Sequence, residues 1–106
     1  MALLSVFWTK TALNQRNYIF QYWDTRNKST SYSQKLNRLI KKRIEILKSH
    51  PGIGKKTAFT HTRMISLGHY SIFYQHIDRQ IIITGFWDNR QNPAKLLSFL
   101  KDRDKA

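Results

Sequence analysis

The 106-residue chain predicts a single α+β domain, in which a helical hairpin packs on a largely antiparallel sheet. Three observations carry the prediction. An apolar run opens the chain, two stretches of helical period follow, and the second half shifts to segments rich in β-branched and aromatic residues, separated by short polar turns. The expected order is β-α-α-β-β-β, closed by a short C-terminal helix.

Residues 3–8 read as a strand that is apolar almost throughout, and therefore as one covered on both faces. Thr9 can cap a helix starting near Lys10, because its hydroxyl can accept an orphan backbone N–H. Ala12, Ile19 and Trp23, with Leu13 and Phe20 beside them, give that helix one broad apolar face, and it should fade near Arg26-Asn27. Ser31 and Gln34 have capping-box spacing for a second helix. Leu36, Ile40, Ile44 and Leu47 then recur at intervals of four, four and three, an amphipathic stripe. His50-Pro51-Gly52-Ile53-Gly54 stops this helix, since proline disfavours helical geometry before it and glycine permits a sharp turn.

Residues 57–67, 70–77 and 80–87 read as strands joined at Gly68-His69 and Asp78-Arg79, connections short enough to require antiparallel hairpins. Residues 94–101 carry Leu96, Leu97 and Leu100 and read as a terminal helix with proline near its first turn. Residues 1–106 thus form one domain, large enough for a single core. Trp8 and Trp23 are assigned to that core.

Nineteen Lys and Arg against six Asp and Glu give a formal charge of +13. Charge of one sign on so small a body repels itself and attracts a polyanionic partner. Cysteine is absent, which excludes disulfides and thiolate metal sites and fits a reducing compartment. The N-terminus lacks a basic n-region and a small-residue cleavage site, and no segment is long enough to span a bilayer. These features predict a soluble, cytoplasmic protein with no membrane partner.

Gly52-Ile53-Gly54-Lys55-Lys56-Thr57 invites comparison with a phosphate-binding P-loop. That pattern needs glycine where Ser49 stands and Ser or Thr where Lys56 stands, and here it precedes a strand. A basic loop touching a polyanion, or a plain solvated turn, fits better. His50, His61, His69 and His76 show no metal-ligand spacing, so no metal or other cofactor is called for. His69 reads as a turn residue, and His61 is the histidine to test for proton transfer. On the second helix Lys35, Arg38, Lys41, Lys42 and Arg43 can follow a phosphate backbone or form an ordinary solvated face.

The most informative stretch is residues 81–93, where an apolar strand runs into the polar turn Trp87-Asp88-Asn89-Arg90-Gln91-Asn92-Pro93. A rigid element delivering Trp87, Asp88 and Arg90 to the surface suits a recognition site, for which Trp and Arg are common anchors. Asp88 can instead cap the turn by bonding nearby backbone N–H groups.

Taken together, Trp8-Thr9 with Ala12, His50-Pro51-Gly52-Ile53-Gly54, Arg63-Met64-Ile65 leading to Tyr70-Ser71-Ile72-Phe73-Tyr74, and Phe86 to Pro93 resemble the RelE/ParE superfamily of toxins from type II toxin–antitoxin modules. The last motif is similar to a ParE-like, plasmid-stabilisation branch. The resemblance implies a RelE/ParE-like fold and a growth-inhibiting toxin, neutralised by a cognate antitoxin through an acidic or amphipathic segment. It also implies one of two targets. ParE-like members are associated with DNA gyrase, whereas RelE-like members cleave mRNA on the ribosome without a metal.

RNA cleavage needs a base for the 2′-hydroxyl, a cation for the phosphate and an acid for the leaving oxygen. Where RelE-like nucleases commonly carry arginine after the tyrosine of the third strand, this chain has Ser71. A replacement catalytic set would draw on Lys55, Lys56, His61, Arg63 and Arg90. Strand parity would put Arg63 on one sheet face with Phe59, His61 and Ile65. That face is either a catalytic groove or the seat of a structural cation facing Asp88. The sequence favours the ParE-like binder, with Trp87, Asp88, Arg90, Lys41 and Lys42 as partner-binding residues. The metal-free ribosome-dependent endonuclease and a non-toxic basic nucleic-acid-binding module are the alternatives.

Overall fold

The computed structural model describes residues 4–91. Five strands and two helices follow in the order β1 (Ser5–Trp8), α1 (Lys10–Asn27), α2 (Ser31–Ser49), β2 (Lys55–Lys56), β3 (Arg63–Leu67), β4 (Tyr70–Ile77) and β5 (Gln80–Asp88). The sheet order is β1-β5-β4-β3-β2. β1 lies parallel to β5, and every other pair is antiparallel, so the sheet is mixed but largely antiparallel. The expected C-terminal helix falls outside the described residues.

α1 begins as its sequence dictates. The Thr9 hydroxyl accepts the Ala12 N–H at 3.1 Å, and the helix ends on Lys28 in the left-handed region, φ 52°. The start of α2 differs from expectation. Thr30 is the N-cap residue, Ser31 already lies inside the helix, and the Ser31–Gln34 capping box does not form. The Ser29 hydroxyl accepts the Ser31 N–H, while Gln34 donates to the Thr30 hydroxyl at 2.9 Å.

The stripe of Leu36, Ile40, Ile44 and Leu47 is buried along its length. With Ala12 and Ile19 of α1 it meets Leu67, Tyr70, Ile72, Tyr74, Ile81, Ile83 and Phe86 of the sheet in one core. Trp8 and Trp23 pack against that core as half-buried residues rather than lying inside it.

β1 is not covered on both faces. It is an edge strand whose residues alternate between exposed and half-buried, and Phe7 keeps 58% of its surface. Its apolar run reflects a parallel strand joining the sheet, not full burial. β4 and β5 hold the centre, with a bulge opposite Phe73 and Tyr74, which pair with Gly85 and Ile83 and leave Thr84 as the extra residue.

The largest departure from expectation lies at residues 57–67. Only the last five residues form a strand, and residues 57–62 form a turn between β2 and β3. The Thr57 side chain organises it, donating to the Thr62 carbonyl at 2.9 Å and accepting the Phe59 N–H at 3.2 Å. His61 turns the chain with φ of 56°. Strand parity therefore does not extend from Arg63 back to His61 and Phe59.

Candidate functional site

Two places gather chemistry-bearing side chains, at opposite ends of the sheet. The first is the corner where β5 ends. Asp88, nearly buried, accepts three bonds from Arg90: its Oδ1 takes the Arg90 backbone N–H and Nε, both at 2.9 Å, and its Oδ2 takes Nη2 at 2.7 Å. This fork-to-carboxylate geometry is the strong form of an ion pair. Hydrogen bonding from Arg90 holds the Asp88 carboxyl below the ordinary range, against the opposing effect of its burial. The same pair keeps the Arg90 guanidinium firmly protonated.

The guanidinium also lies 5.6 Å from the Trp23 ring centre and 5.9 Å from that of Tyr70, close enough for cation–π attraction. Tyr70 shares a hydroxyl hydrogen bond of 3.0 Å with Tyr32, and burial raises its pKa well above the ordinary phenol value. One corner thus joins both helices to the end of β5. Asp88 caps the turn as its sequence position suggested, and its partner is Arg90 rather than Arg63.

Trp87 projects elsewhere. With Tyr18, Ile19 and Phe86 it lines an apolar groove of about 240 Å³ between α1 and β5. β1 pairs with β5 only from Gln80 to Ile83. Beyond that register the Gln15 side chain accepts the Phe86 N–H at 2.9 Å, satisfying an edge donor that no strand reaches. Tyr18 is 63% exposed and Tyr22 47%, and a neighbouring cleft adds Tyr22, Arg26 and Arg90 to this surface. Sequence reasoning missed Tyr18 and Tyr22. Both fall on the solvent side of α1, where the only signal was aromatic content on a face that does not need it. Lys41 and Lys42 are exposed on α2 and belong to neither gathering.

The second place is a cleft of about 420 Å³ at the other end of the sheet, lined by Lys56, Phe59, His61, Arg63 and His76 among others. Arg63 donates through Nη1 to the carbonyls of Gly54, at 2.8 Å, and Gly52, at 3.3 Å, bracing the loop that follows α2. Register separates the candidate catalytic residues. Lys56 pairs with Arg63, so the two share a face, whereas Lys55 pairs with Met64 and points to the opposite one. Arg63 aligns with Tyr74 on β4 and Asp88 with Tyr70. Asp88, which holds Arg90, is therefore displaced from Arg63 by four strand positions, roughly 13 Å along the sheet. Ser71 is buried and donates to the Asn89 side chain at 2.8 Å. Among the described residues, no cluster of three potential metal ligands occurs.

A helical hairpin over a mixed sheet whose first strand runs parallel to its last is the fold of the RelE/ParE type of small toxin. A family model described as the ParE toxin of the type II toxin–antitoxin system, parDE, matches residues 6–93, and the chain belongs to that family. A solved structure titled "Chromosomal ParDE TA system from P. aeruginosa" superposes with a TM-score of 0.67 at 17% identity, covering 78% of this chain and 92% of the other. That likeness shows the fold. No curated protein sequence matches the chain.

Proposed function

We propose that the protein is the toxin of a type II toxin–antitoxin pair and arrests growth by binding an essential target such as DNA gyrase, while a cognate antitoxin neutralises it. Family membership supports the toxin role. The observation that favours binding over RNA cleavage is the separation of the two arginines. Arg63 braces backbone carbonyls at one end of the sheet, and Arg90 is engaged by Asp88 at the other. RNA cleavage needs a preorganised cation at the phosphate, with a base and an acid each within hydrogen-bond reach of the oxygen it serves. With each arginine engaged by protein groups at its own end of the sheet, this arrangement supports binding over cleavage.

The antitoxin's seat, on this proposal, is the groove between α1 and β5. Tyr18, Ile19 and Trp87 offer apolar and aromatic surface, and Arg26 and Arg90 offer positive charge at its rim. Such a surface fits an amphipathic segment that buries aliphatic side chains and turns carboxylates toward the arginines. The target is tested by assaying the purified protein side by side on gyrase supercoiling and on translating ribosomes. Loss of supercoiling with intact message is expected. Ribosome-dependent cleavage abolished by Arg63→Ala or Arg90→Ala would overturn the proposal.

A further inference from the structure

We infer that the segment seated between α1 and β5 is an extended strand that adds to the open edge of β5, and that the Gln15 side chain holds its place in the free protein. The inference rests on the antitoxin seat proposed above and goes further, naming the backbone geometry of the occupant. Three observations carry it.

The first is an edge left bare by the topology. The Ile83 carbonyl accepts the Thr9 N–H at 3.0 Å, and there β1 ends and α1 begins. β5 runs on from Thr84 to Asp88 with no strand beside it on that side, among the described residues. An unpaired stretch of edge is a template for another chain.

The second is the chemistry of that edge. Thr84 is the extra residue of the bulge, and past it the Phe86 N–H faces the Gln15 side chain at 2.9 Å. The N–H and C=O of one strand residue point to the same side. The Phe86 carbonyl therefore faces this edge too, and no donor reaches it among the described residues. A donor and an acceptor side by side are what a neighbouring strand engages. Gln15 supplies only the acceptor, an amide oxygen that imitates a peptide carbonyl. It hangs from a half-buried, rotatable side chain that a partner's backbone can displace.

The third is room in the right place. The groove of about 240 Å³ is bordered by Thr11, Gln15 and Tyr18 on α1 and by Phe86 and Trp87 on β5, so it follows the same stretch of edge. Successive side chains of an added strand alternate between the two faces of the sheet. One set stands beside Trp87, and the other points to the face of Phe86, toward α1 and Tyr18. Aliphatic residues fit both, with carboxylates reaching Arg26 and Arg90 at the rim. A helix in the groove would satisfy its own backbone and leave the Phe86 groups unused.

The test follows hydrogen exchange of the Phe86 amide by NMR in the full chain, free and in the complex purified with its cognate antitoxin. Gln15→Met keeps the length of the side chain and removes its oxygen. In the free variant the Phe86 amide should exchange at least about tenfold faster than in wild type, because its acceptor is gone. In the complex it should be protected to within about threefold of wild type, because an antitoxin backbone carbonyl has replaced Gln15. Capture should tighten about fivefold, the worth of one hydrogen bond that no longer has to be broken. Gln15→Ala should tighten it as well, which excludes a gain from contacts of the methionine itself. Trp87→Ala, measured alongside, reports whether the groove is the seat. The inference is overturned, with the seat intact, if Trp87→Ala weakens capture while the Phe86 amide of the Gln15→Met complex exchanges as fast as in the free variant. Weaker capture by both Gln15 variants also overturns it, since Gln15 then contacts the antitoxin rather than holding its place. Capture unaffected by Trp87→Ala removes the seat, and the inference with it.

Discussion

The Tyr74 hydroxyl accepts the backbone N–H of Gly54 at 2.9 Å, and the same close approach leaves no room for a side chain on Gly54. A Cβ there would lie 2.6 Å from the phenol oxygen, 2.7 Å from its ring and 3.0 Å from the Met64 carbonyl. Tyr74 is fully buried and cannot swing away. Gly54→Ala should therefore destabilise the fold by about 1–3 kcal/mol, the usual range for overpacking a filled core. Tyr74→Phe should lose a similar amount, about 1–3 kcal/mol, by leaving the Gly54 N–H and the Pro51 carbonyl without their partner. Urea unfolding measures both, and wild-type stability in either variant would show that the contact is dispensable.

Lys28 closes α1 in a backbone conformation that disfavours a Cβ. Its own N–H bonds the Asp24 carbonyl, and that bond depends on the backbone alone. Lys28→Gly should raise stability by about 1 kcal/mol, because glycine occupies the left-handed region without strain. A thermal melt with the midpoint unchanged or lowered would contradict this.

The ion pair of Asp88 and Arg90 predicts a definite dependence on pH. The Asp88 carboxyl titrates lower in the folded chain than in the unfolded one. The stabilisation it supplies is present above the unfolded value, about 3.9, and disappears as pH falls through the lower folded value. Wild-type stability should thus decline below about pH 4. Asp88→Asn should be less stable than wild type at neutral pH and should lose part of that acid decline. Arg90 is about half exposed, so the neutral-pH loss should be only about 1–2 kcal/mol. Unfolding curves of the two proteins from pH 2 to 7 check the sign, and parallel profiles would refute it.

On the proposed antitoxin surface, Tyr18→Ala and Trp87→Ala should each weaken capture of the cognate antitoxin by at least about tenfold, in the range of interface hot spots. Tyr18 is mostly exposed, so its variant should keep wild-type stability. Isothermal titration against the antitoxin distinguishes the outcomes. Affinity unchanged in both variants would move the interface elsewhere.

Several elements were legible because one periodicity dominated each of them. The stripe from Leu36 to Leu47 repeats without interruption, and all four residues are buried. β4 and β5 are long β-branched and aromatic runs bounded by turn residues, and their joining turns at Gly68-His69 and Asp78-Arg79 lie where the sequence put them.

The turn at residues 57–62 was not legible, since Thr57, Phe59 and Thr62 are residues that strands favour and no glycine or proline interrupts them. It forms because the Thr57 hydroxyl replaces a ladder bond and a histidine adopts the left-handed conformation. That misreading is what placed His61 and Arg63 on one strand face. The Asp88 corner was half legible. Capping by a nearby aspartate is a local rule, whereas the stacking of Arg90 over Trp23 and Tyr70 joins residues distant in sequence.

The parallel pairing of β1 with β5 sets Ser5 beside Gln80, so the first strand waits for nearly the last part of the domain before it has a partner. Contacts that span most of a chain form late and slowly. A growing polypeptide can wind its two helices early, yet it cannot close the sheet until β5 has been made. The surface between α1 and β5, including Trp87, does not exist before that moment. If that groove seats the antitoxin as proposed above, neutralisation has to wait for a finished chain, because an incomplete one released during synthesis offers the antitoxin no groove.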